Sequence, residues 1–297
     1  MKELKALIAR NTRLFFKDKA MFFTSLITPM ILLVLYITFL GEVYRDAFRS
    51  GMPEGIMIPD KIIDGAVGGQ LVSSLLAVSC VTVAFCANLL MIQDKVTGAR
   101  RDFGMTPVKE STLSLGYFIS TAIVTLIIGF AALSVSLIYL RAVGWYLSVS
   151  DVMLLCLDVL ILTLFGTSLS SAINCLLSTN GQASAVGTII SSGYGFICGA
   201  YMPISSFGEL LQRIVMFLPG TYGTALLRNH AMGGALEEMQ EIGIPEAAVE
   251  GLRDVIDCNL YFFEKKVDTS VMYAVLIGAT ALVTLIYIAI CKFRKKK

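Results

Sequence analysis

This 297-residue sequence has few of the histidine and cysteine patterns that hold metals or carry acid–base chemistry. The single histidine, His230, excludes a multi-histidine metal site and leaves little for histidine-based acid–base catalysis. The seven cysteines form no C-x-x-C pair, and six of them lie in or beside apolar segments. This pattern is typical of small buried side chains, so neither a disulfide framework nor a metal site is predicted.

The glycines exclude a nucleotide-binding loop. The pattern G-x-x-x-x-G-K-[ST] requires a Gly followed by Lys, and no Gly in the chain is followed by Lys. No pairing of a nucleophile with a base is evident either. We therefore expect that the chain is not an enzyme, binds no cofactor of its own and has no nucleic-acid partner.

The composition indicates which elements must position the remaining polar residues. Hydrophobic residues make up 56% of the chain, charged residues 15%, and the mean hydropathy is +0.76. Soluble proteins are about 25% charged, so an all-α integral membrane protein is predicted. Six apolar segments are long enough to cross a hydrocarbon core of about 30 Å as helices. These predicted spans are residues 21–40, 67–92, 113–140, 152–177, 183–202 and 271–291.

The charge distribution orients the predicted bundle. Lys and Arg favour cytoplasmic connections, and an inside N-terminus places 15 of the 24 on the cytoplasmic side. In residues 1–20, apolar side chains recur at helical spacing with basic ones on other faces, which predicts an interfacial amphipathic helix. We expect a multi-pass protein of the bacterial plasma membrane, with both termini cytoplasmic.

The loop between the second and third spans, residues 93–112, is charged and interrupted by glycine and proline. It can form one or two helical turns at the membrane surface. An ordinary positively charged cytoplasmic loop would look similar. Its candidate functional residues are Asp94, Lys95, Gly98, Arg100, Arg101, Asp102 and Pro107.

A second unusual stretch follows the fifth span. Gly195 and Gly199 permit close helix packing, and Pro203 ends the helix. Residues 204–227 are apolar but too interrupted to span, which predicts a re-entrant hairpin that dips in from the outside. The hairpin contains the pattern Leu-Pro-x-Thr-Tyr at residues 218–222.

These two stretches resemble the coupling helix and the signature region of type-2 ABC exporter permeases. The first has an acidic residue four positions before Gly98, then charged residues, Thr-Pro-Val and a Leu-x-Leu-Gly-Tyr entry into the next span. The resemblance covers nearly the whole chain. It departs from the family at Arg100, Arg101 and Asp102, where a leucine- and glutamate-rich run is usual, and residues 229–270 are longer than the family needs.

The resemblance implies a single membrane domain over residues 1–297 that works in membrane lipid as a dimer, with an identical or homologous permease. It implies that residues 93–112 dock into a separate ABC ATPase subunit, which binds ATP and magnesium. It also implies a re-entrant gate, to which we assign Pro203, Leu218, Pro219 and Tyr222.

Small and polar faces on the second, fourth and fifth spans are candidates for a substrate path. Helix packing through small residues would explain all three, but the resemblance favours the second and fifth. The candidate path residues are Ser74, Asn88, Ser184, Thr188, Ser192 and Gly195. Asp158 is the one acidic residue within a span, and because a carboxylate in the bilayer is costly, it is expected to face protein or water. No charge partner for it is apparent.

The stretch 229–270 is acidic and contains apolar residues at helical spacing, including Val249 and Leu252. A solvated cap over the outer ends of the spans is one interpretation, and a substrate-gating or partner-docking lid is the other. His230 and Cys258 are expected to lie outside, as a polar loop residue and an unpaired thiol.

The sequence thus predicts the permease subunit of an ATP-driven exporter. Few charges in the spans favour a lipophilic or amphipathic substrate, such as a drug or peptide antibiotic. An exporter of a lipid-linked glycan is the alternative, although the single Trp145 argues mildly against an aromatic-rich path. From other classes, an ATP-independent secondary transporter or channel and a membrane-embedded enzyme are the competing hypotheses.

Overall fold

The computed structural model describes residues 2–50, 58–263 and 265–294, most of which are helical. The α-helices are α1 (Lys2–Lys17), α2 (Lys19–Leu35), α3 (Gly41–Ser50), α4 (Asp60–Val96), α5 (Ala99–Gly104), α6 (Glu110–Val143), α7 (Val149–Asn174), α8 (Asn180–Ile197), α9 (Glu209–Val215), α10 (Pro219–Glu241), α11 (Glu246–Val255) and α12 (Thr269–Arg294). A π-helical turn, Tyr36–Leu40, joins α2 to α3, and a 3-10 turn, Ile204–Ser206, precedes α9. Two short antiparallel strands, β1 (Tyr261–Phe262) and β2 (Lys265–Lys266), precede α12.

Five helical segments in the described part of the chain are long and apolar enough to cross a membrane, which confirms the all-α membrane class. They are Lys19–Asp46, Asp60–Val96, Glu110–Val143, Val149–Asn174 and Thr269–Lys292. The predicted span 183–202 overlaps α8, which has 18 residues but does not reach the same apolarity because Gly, Ser and Thr interrupt it. A sixth span therefore stays a prediction.

Helix α4 forms the centre of the bundle. In its most apolar stretch 83% is buried, against 11% in α12, which lies at the edge. Helices α2, α6, α7, α8 and α10 all pack on α4. Glycines permit the closest approaches: a Cβ at Gly69 would lie 2.5 Å from the carbonyl oxygen of Ala231, and one at Gly166 would lie 2.7 Å from that of Cys80. The 37 residues of α4 extend about 55 Å, so the helix is longer than a hydrocarbon core is thick.

The two ends of the bundle are named here by their short helices. The α5 end carries the connection from α4 to α6, the end of α7 and the start of α8. Helix α1 packs on α6, with Leu7, Asn11 and Phe15 buried. The α11 end carries α3, the start of α4, the end of α10, α11 and the two strands.

The α11 end has its own apolar core. Tyr44 and Phe48 of α3 pack in one cluster with Met239 of α10 and Val249 and Leu252 of α11. Burial of these side chains stabilises the end that the sequence treats as a loop. The end of α10 and α11 therefore form a packed cap over this end of the bundle.

His230 corrects the expectation of a polar loop residue, whereas Cys258 is the unpaired thiol that the sequence predicts, although it is buried. His230 is on α10 and is 9% exposed, and Cys258 follows α11 and is a free thiol that is 1% exposed. Hydropathy does not reveal the burial of these two residues, because it depends on their polar neighbours in the sequence. Their burial comes from packing against helices that are distant in the sequence.

Candidate functional site

A groove runs along α8 between that helix and α2. Its volume is about 1270 Å³, and we call it the α2–α8 groove. It begins near Gln93 and Asn180 at the α5 end and reaches Pro203 and Val255 at the α11 end. The 18 residues of α8 correspond to about 27 Å, which is close to the thickness of a hydrocarbon core.

The wall of the groove is apolar with scattered hydroxyl groups. Aliphatic and aromatic side chains such as Ile27, Ile31 and Phe39 come from the α2 side, and Cys86 and Leu89 of α4 form its back. None of the described residues that line it is Asp, Glu, Lys, Arg or His. The groove is therefore suited to a lipophilic or amphipathic molecule and not to a bare ion.

Three of the six predicted path residues line this groove: Ser184, Thr188 and Ser192 of α8. The hydroxyl of Thr188 donates to the Ser184 carbonyl oxygen at 2.9 Å, and that of Ser192 donates to the Thr188 carbonyl oxygen at 2.7 Å. Because each donor is used within the helix, the groups offer mainly acceptor lone pairs to a ligand. The hydroxyls of Thr24 and Thr28, which the sequence analysis did not select, come from α2.

The other three path residues are used in packing. Ser74 and Asn88 of α4 are buried among helices, and the Asn88 amide donates to Thr121 on α6 at 3.2 Å and Ser171 on α7 at 2.9 Å. A Cβ at Gly195 would lie 2.4 Å from the ring of Tyr201, so this glycine lets the chain fold back at the end of α8. The structure places none of the three in the lining of the groove.

At the α5 end, Asp94 joins three long helices and is 4% exposed. The guanidinium of Arg10 on α1 donates to both carboxylate oxygens at 2.7 and 2.8 Å, and the Tyr117 hydroxyl of α6 donates at 2.6 Å. The same guanidinium lies 5.1 Å from the ring centroid of Phe103 on α5. Its bond to the Asp94 carboxylate raises the pKa of Arg10. Asp94 is thus a joint between α1, α4 and α6, and Arg10 connects that joint to α5.

Lys95 also binds within the protein. Its ammonium donates to the carbonyl oxygens of Asn174, Cys175 and Leu177 at 3.1, 2.8 and 2.6 Å. These are carbonyls at the C-terminus of α7, where a positive charge is favourable. Lys95 therefore fixes the end of α7 to the end of α4.

The rest of the predicted coupling loop forms the exposed tip of the α5 end. Gly98 has a φ of +86°, which lets the chain turn from α4 into α5. Arg100 forms an ion pair with Glu110 at the start of α6. The surface itself is made of Arg101, Asp102, Pro107 and other exposed side chains, with Met105 81% exposed.

The predicted re-entrant gate residues divide between two roles. Pro203 lines the groove and begins the 3-10 turn. Leu218 caps α10, and Pro219 occupies its first turn, a position that proline favours. The Tyr222 hydroxyl donates to the Met216 carbonyl oxygen at 2.7 Å, so this side chain ties α9 to α10. Together these residues build the bend that brings α10 against α4 and α7.

Asp158 faces protein, as the sequence predicts, and has hydrogen-bond partners that the sequence did not reveal. One carboxylate oxygen lies 2.6 Å from Nδ1 of His230 on α10, and the other accepts a bond of 2.5 Å from the Tyr273 hydroxyl on α12. Asp158 is 1% exposed. The cluster holds three helices together and satisfies a carboxylate that would otherwise be costly to bury.

A second buried ion pair lies at the α11 end. Arg228 is 1% exposed, and its Nη1 lies 3.2 Å from Oδ2 of Asp257. Burial raises the pKa of Asp257, an effect that Arg228 opposes. In the described residues we find no group of His, Cys, Asp or Glu arranged to hold a metal ion.

The apolar helices around α4 and the groove along α8 define a multi-pass membrane protein. The family model for ABC-2 type transporters matches residues 2–231, from α1 into α10. This chain belongs to the ABC-2 type transporter family, whose members are generally permeases of ABC exporters and associate with an ABC ATPase subunit. A comparison with curated proteins finds no match.

Proposed function

We propose that the chain is the permease subunit of an ATP-driven exporter that moves a lipophilic or amphipathic substrate out of the cytoplasm. The observation that carries this proposal is the α2–α8 groove, which extends along a helix of about membrane thickness and has an apolar, uncharged lining. Its volume of about 1270 Å³ is large enough for a drug or a small peptide.

The ATPase is proposed to dock at the α5 end, which is then the cytoplasmic end, with both termini on that side. Arg101, Asp102 and Met105 offer an exposed, mixed surface there. The chain hydrolyses no ATP itself, and the partner supplies ATP and magnesium. Movement of α5 would pass to α1 and α4 through Arg10, which contacts both Phe103 and Asp94.

The working unit is proposed to be a dimer of two such permeases. The α2–α8 groove is open on one side, and its edges carry exposed apolar side chains such as Phe23 and Ile189. A second copy related by a twofold axis would close the groove against lipid and create a sealed path. In this arrangement α8 is the sixth span, and α9 with the first half of α10 forms the re-entrant hairpin.

A lipid-linked glycan is the second candidate for the substrate. Four aromatic side chains line the groove, Phe39, Tyr44, Phe196 and Tyr201, and aromatic rings stack well on sugars. Stimulation of ATP hydrolysis by substrate distinguishes the two candidates. If the first is correct, a lipophilic drug or peptide should stimulate ATP hydrolysis by the complex, and a glycan donor should not.

An ATP-independent, proton-coupled transporter is the competing function from another class. The Asp158–His230–Tyr273 cluster favours it, because intramembrane carboxylates with a histidine partner occur in proton relays. Transport that continues with an ATPase inhibitor but stops with a protonophore would support this alternative.

The groove is tested by blocking it. A Cβ at Gly187, which lines the groove, would meet nothing within 4 Å, so Gly187→Trp fills the groove without disturbing the fold. Gly278→Trp is the control, because it lies on another long apolar helix, α12, with equally open space, and does not line the groove. We expect Gly187→Trp to abolish transport while the ATPase still co-purifies, and Gly278→Trp to retain transport. Equal transport by both variants would contradict the proposal.

A further inference from the structure

Contacts with α10 and with the turn after α11 hold the end of α8 in place. The Nη2 of Arg228 donates to the carbonyl oxygen of Gly199, and its Nη1 pairs with Asp257. The carboxylate of Asp257 in turn accepts the backbone N–H of Ile204 at 2.6 Å and that of Ser205 at 3.2 Å. One buried ion pair therefore binds the segment 199–205 at both of its ends.

The local backbone is shaped for this contact. Gly199 has a φ of +74°, and a Cβ there would lie 2.9 Å from Ile204 and 3.5 Å from Oδ2 of Asp257. Asp257 itself has a φ of +54°, a conformation that aspartate tolerates better than most residues. A glycine and an aspartate are thus needed at these two positions for the carboxylate to reach the two amides.

The fastened segment is also the wall of the groove at the α11 end. Tyr201, Met202, Pro203 and Ser206 line the groove there, together with Val255 from α11. The Ser205 hydroxyl donates to the Val255 carbonyl oxygen at 3.1 Å, which closes the gap between the segment and α11. A substrate that leaves the groove at this end has to displace the segment that Asp257 and Arg228 hold.

Two buried polar atoms at the α11 end lack hydrogen-bond partners among the described residues. Nε of Arg228 and Oε1 of Gln70 are buried and have no hydrogen-bond partner within the described part of the chain. Tyr44, which lines the groove, accepts a bond of 3.4 Å from Gln70. Because the closed arrangement is not fully satisfied, it is less stable than a complete network and suited to opening.

We propose that Arg228 and Asp257 form a latch that holds the segment 199–205 closed over the α11 end of the groove and releases it when substrate leaves. The latch rests on the proposed function, because it regulates the groove through which the substrate moves. The latch is opened by movement of α8 relative to α10, which separates Gly199 from Arg228 and the two amides from Asp257.

Hydrogen exchange on the intact complex in lipid nanodiscs tests the latch without any substitution. The peptide that contains Ile204 and Ser205 should be protected at rest, since both amides donate to Asp257. With ATP, magnesium and vanadate, we expect its exchange to become at least about tenfold faster. Unchanged protection in a complex that transports and hydrolyses ATP would overturn the latch and leave the proposed function intact.

Two variants test which residues hold the segment at rest. Asp257→Asn should raise the exchange of the same peptide without ATP, because the amide loses the charge that pairs with Arg228. Glu250→Gln is the matched control, since Glu250 forms an exposed ion pair with Lys266 in the same region, and it should leave the exchange unchanged. If the chain purifies without an ATPase, the proposed function fails. The latch is still tested by hydrogen exchange of Asp257→Asn in the chain alone, and exchange of the peptide equal to that of Glu250→Gln overturns it.

Discussion

The two ends of the bundle each contain an arginine–aspartate pair, and the pairs differ in exposure. At the α5 end, the side chain of Arg10 is 31% exposed and that of Asp94 is 5% exposed. At the α11 end, the side chains of Arg228 and Asp257 are 1% and 5% exposed. The first pair joins α1 to α4 across 84 residues of sequence, and the second joins α10 to the turn after α11 across 29 residues. Both aspartates are buried, so the exposure of the arginine is the main difference between the pairs.

The difference in burial suggests different uses. An arginine in contact with water can change partners at modest cost, which suits a joint that passes motion from a docked ATPase into the bundle. A fully buried arginine loses much more when its partner leaves, because its charge is then uncompensated. The α5 end is therefore expected to move easily, and the α11 end to open only when driven.

The largest expected effect is at the buried pair. Asp257→Ala should lower the free energy of unfolding by about 3–5 kcal/mol, because Arg228 is left charged and buried without a partner. Equilibrium unfolding in lipid or detergent measures this. The double variant Arg228→Met with Asp257→Asn should recover most of the loss, because asparagine tolerates the positive φ of residue 257 and its amide oxygen can still accept a backbone N–H. A single variant Asp257→Ala as stable as the wild type would contradict the difference between the ends.

A smaller loss is expected in the middle of the bundle. His230→Leu should destabilise the protein by about 2–3 kcal/mol, because the buried Asp158 carboxylate loses one of its two side-chain partners. Tyr273→Phe keeps the ring and removes only a hydroxyl, so its loss should be about 1 kcal/mol. The same unfolding measurement applies. A larger loss of unfolding free energy in Tyr273→Phe than in His230→Leu would show that Tyr273, not His230, holds the carboxylate.

The more exposed pair should affect transport more than stability. Arg10→Ala is expected to cost about 1–2 kcal/mol of stability, because water reaches this site. Transport should fall several-fold while ATP hydrolysis continues, since Arg10 contacts both Phe103 of α5 and Asp94 of α4. Arg10→Lys keeps the positive charge but cannot contact both carboxylate oxygens of Asp94 as arginine does, so it should retain transport only in part. If ATP hydrolysis by Arg10→Ala still drives transport as well as in the wild type, the contacts of Arg10 with Phe103 and Asp94 are not the route by which motion passes.

The smallest effect is expected at an exposed pair of the α11 end. Lys266 lowers the pKa of Glu250, so the stabilisation is present at neutral pH and is lost as the pH falls below the ordinary carboxylate pKa of Glu250. Because both side chains are nearly half exposed, Glu250→Gln should cost no more than about 0.5 kcal/mol at pH 7 and less at pH 3. Unfolding curves at the two pH values measure this difference.

Local patterns of the sequence predict much of the fold. Long apolar runs predict the five helices that could cross a membrane, because hydropathy is a property of neighbouring residues. Helix α8 escapes the same measure, since Gly, Ser and Thr residues interrupt it, and several of them line the groove. The burial of α10 is also hidden, because Arg228 and His230 look like loop residues until their partners are known.

The contacts that matter for the site join residues far apart in the chain. Asp94 and Arg10 are separated by 84 residues, and Asp158 and His230 by 72. Which faces of two helices meet depends on packing and cannot be read from the periodicity of either one. For this reason the sequence selects Ser184, Thr188 and Ser192 correctly as one face of α8, but it gives no indication that α2 lies opposite.

We propose above that a separate ATPase binds at the α5 end and moves the helices around the groove along α8. A photo-crosslinking side chain in place of Met105, which is 81% exposed, tests it most directly in the native host. We expect a covalent adduct with a protein that carries a phosphate-binding loop, and no such adduct from the same group at Phe263, which is 64% exposed at the α11 end. Active transport with no ATPase adduct from position 105, or with one from position 263 alone, would contradict the claim.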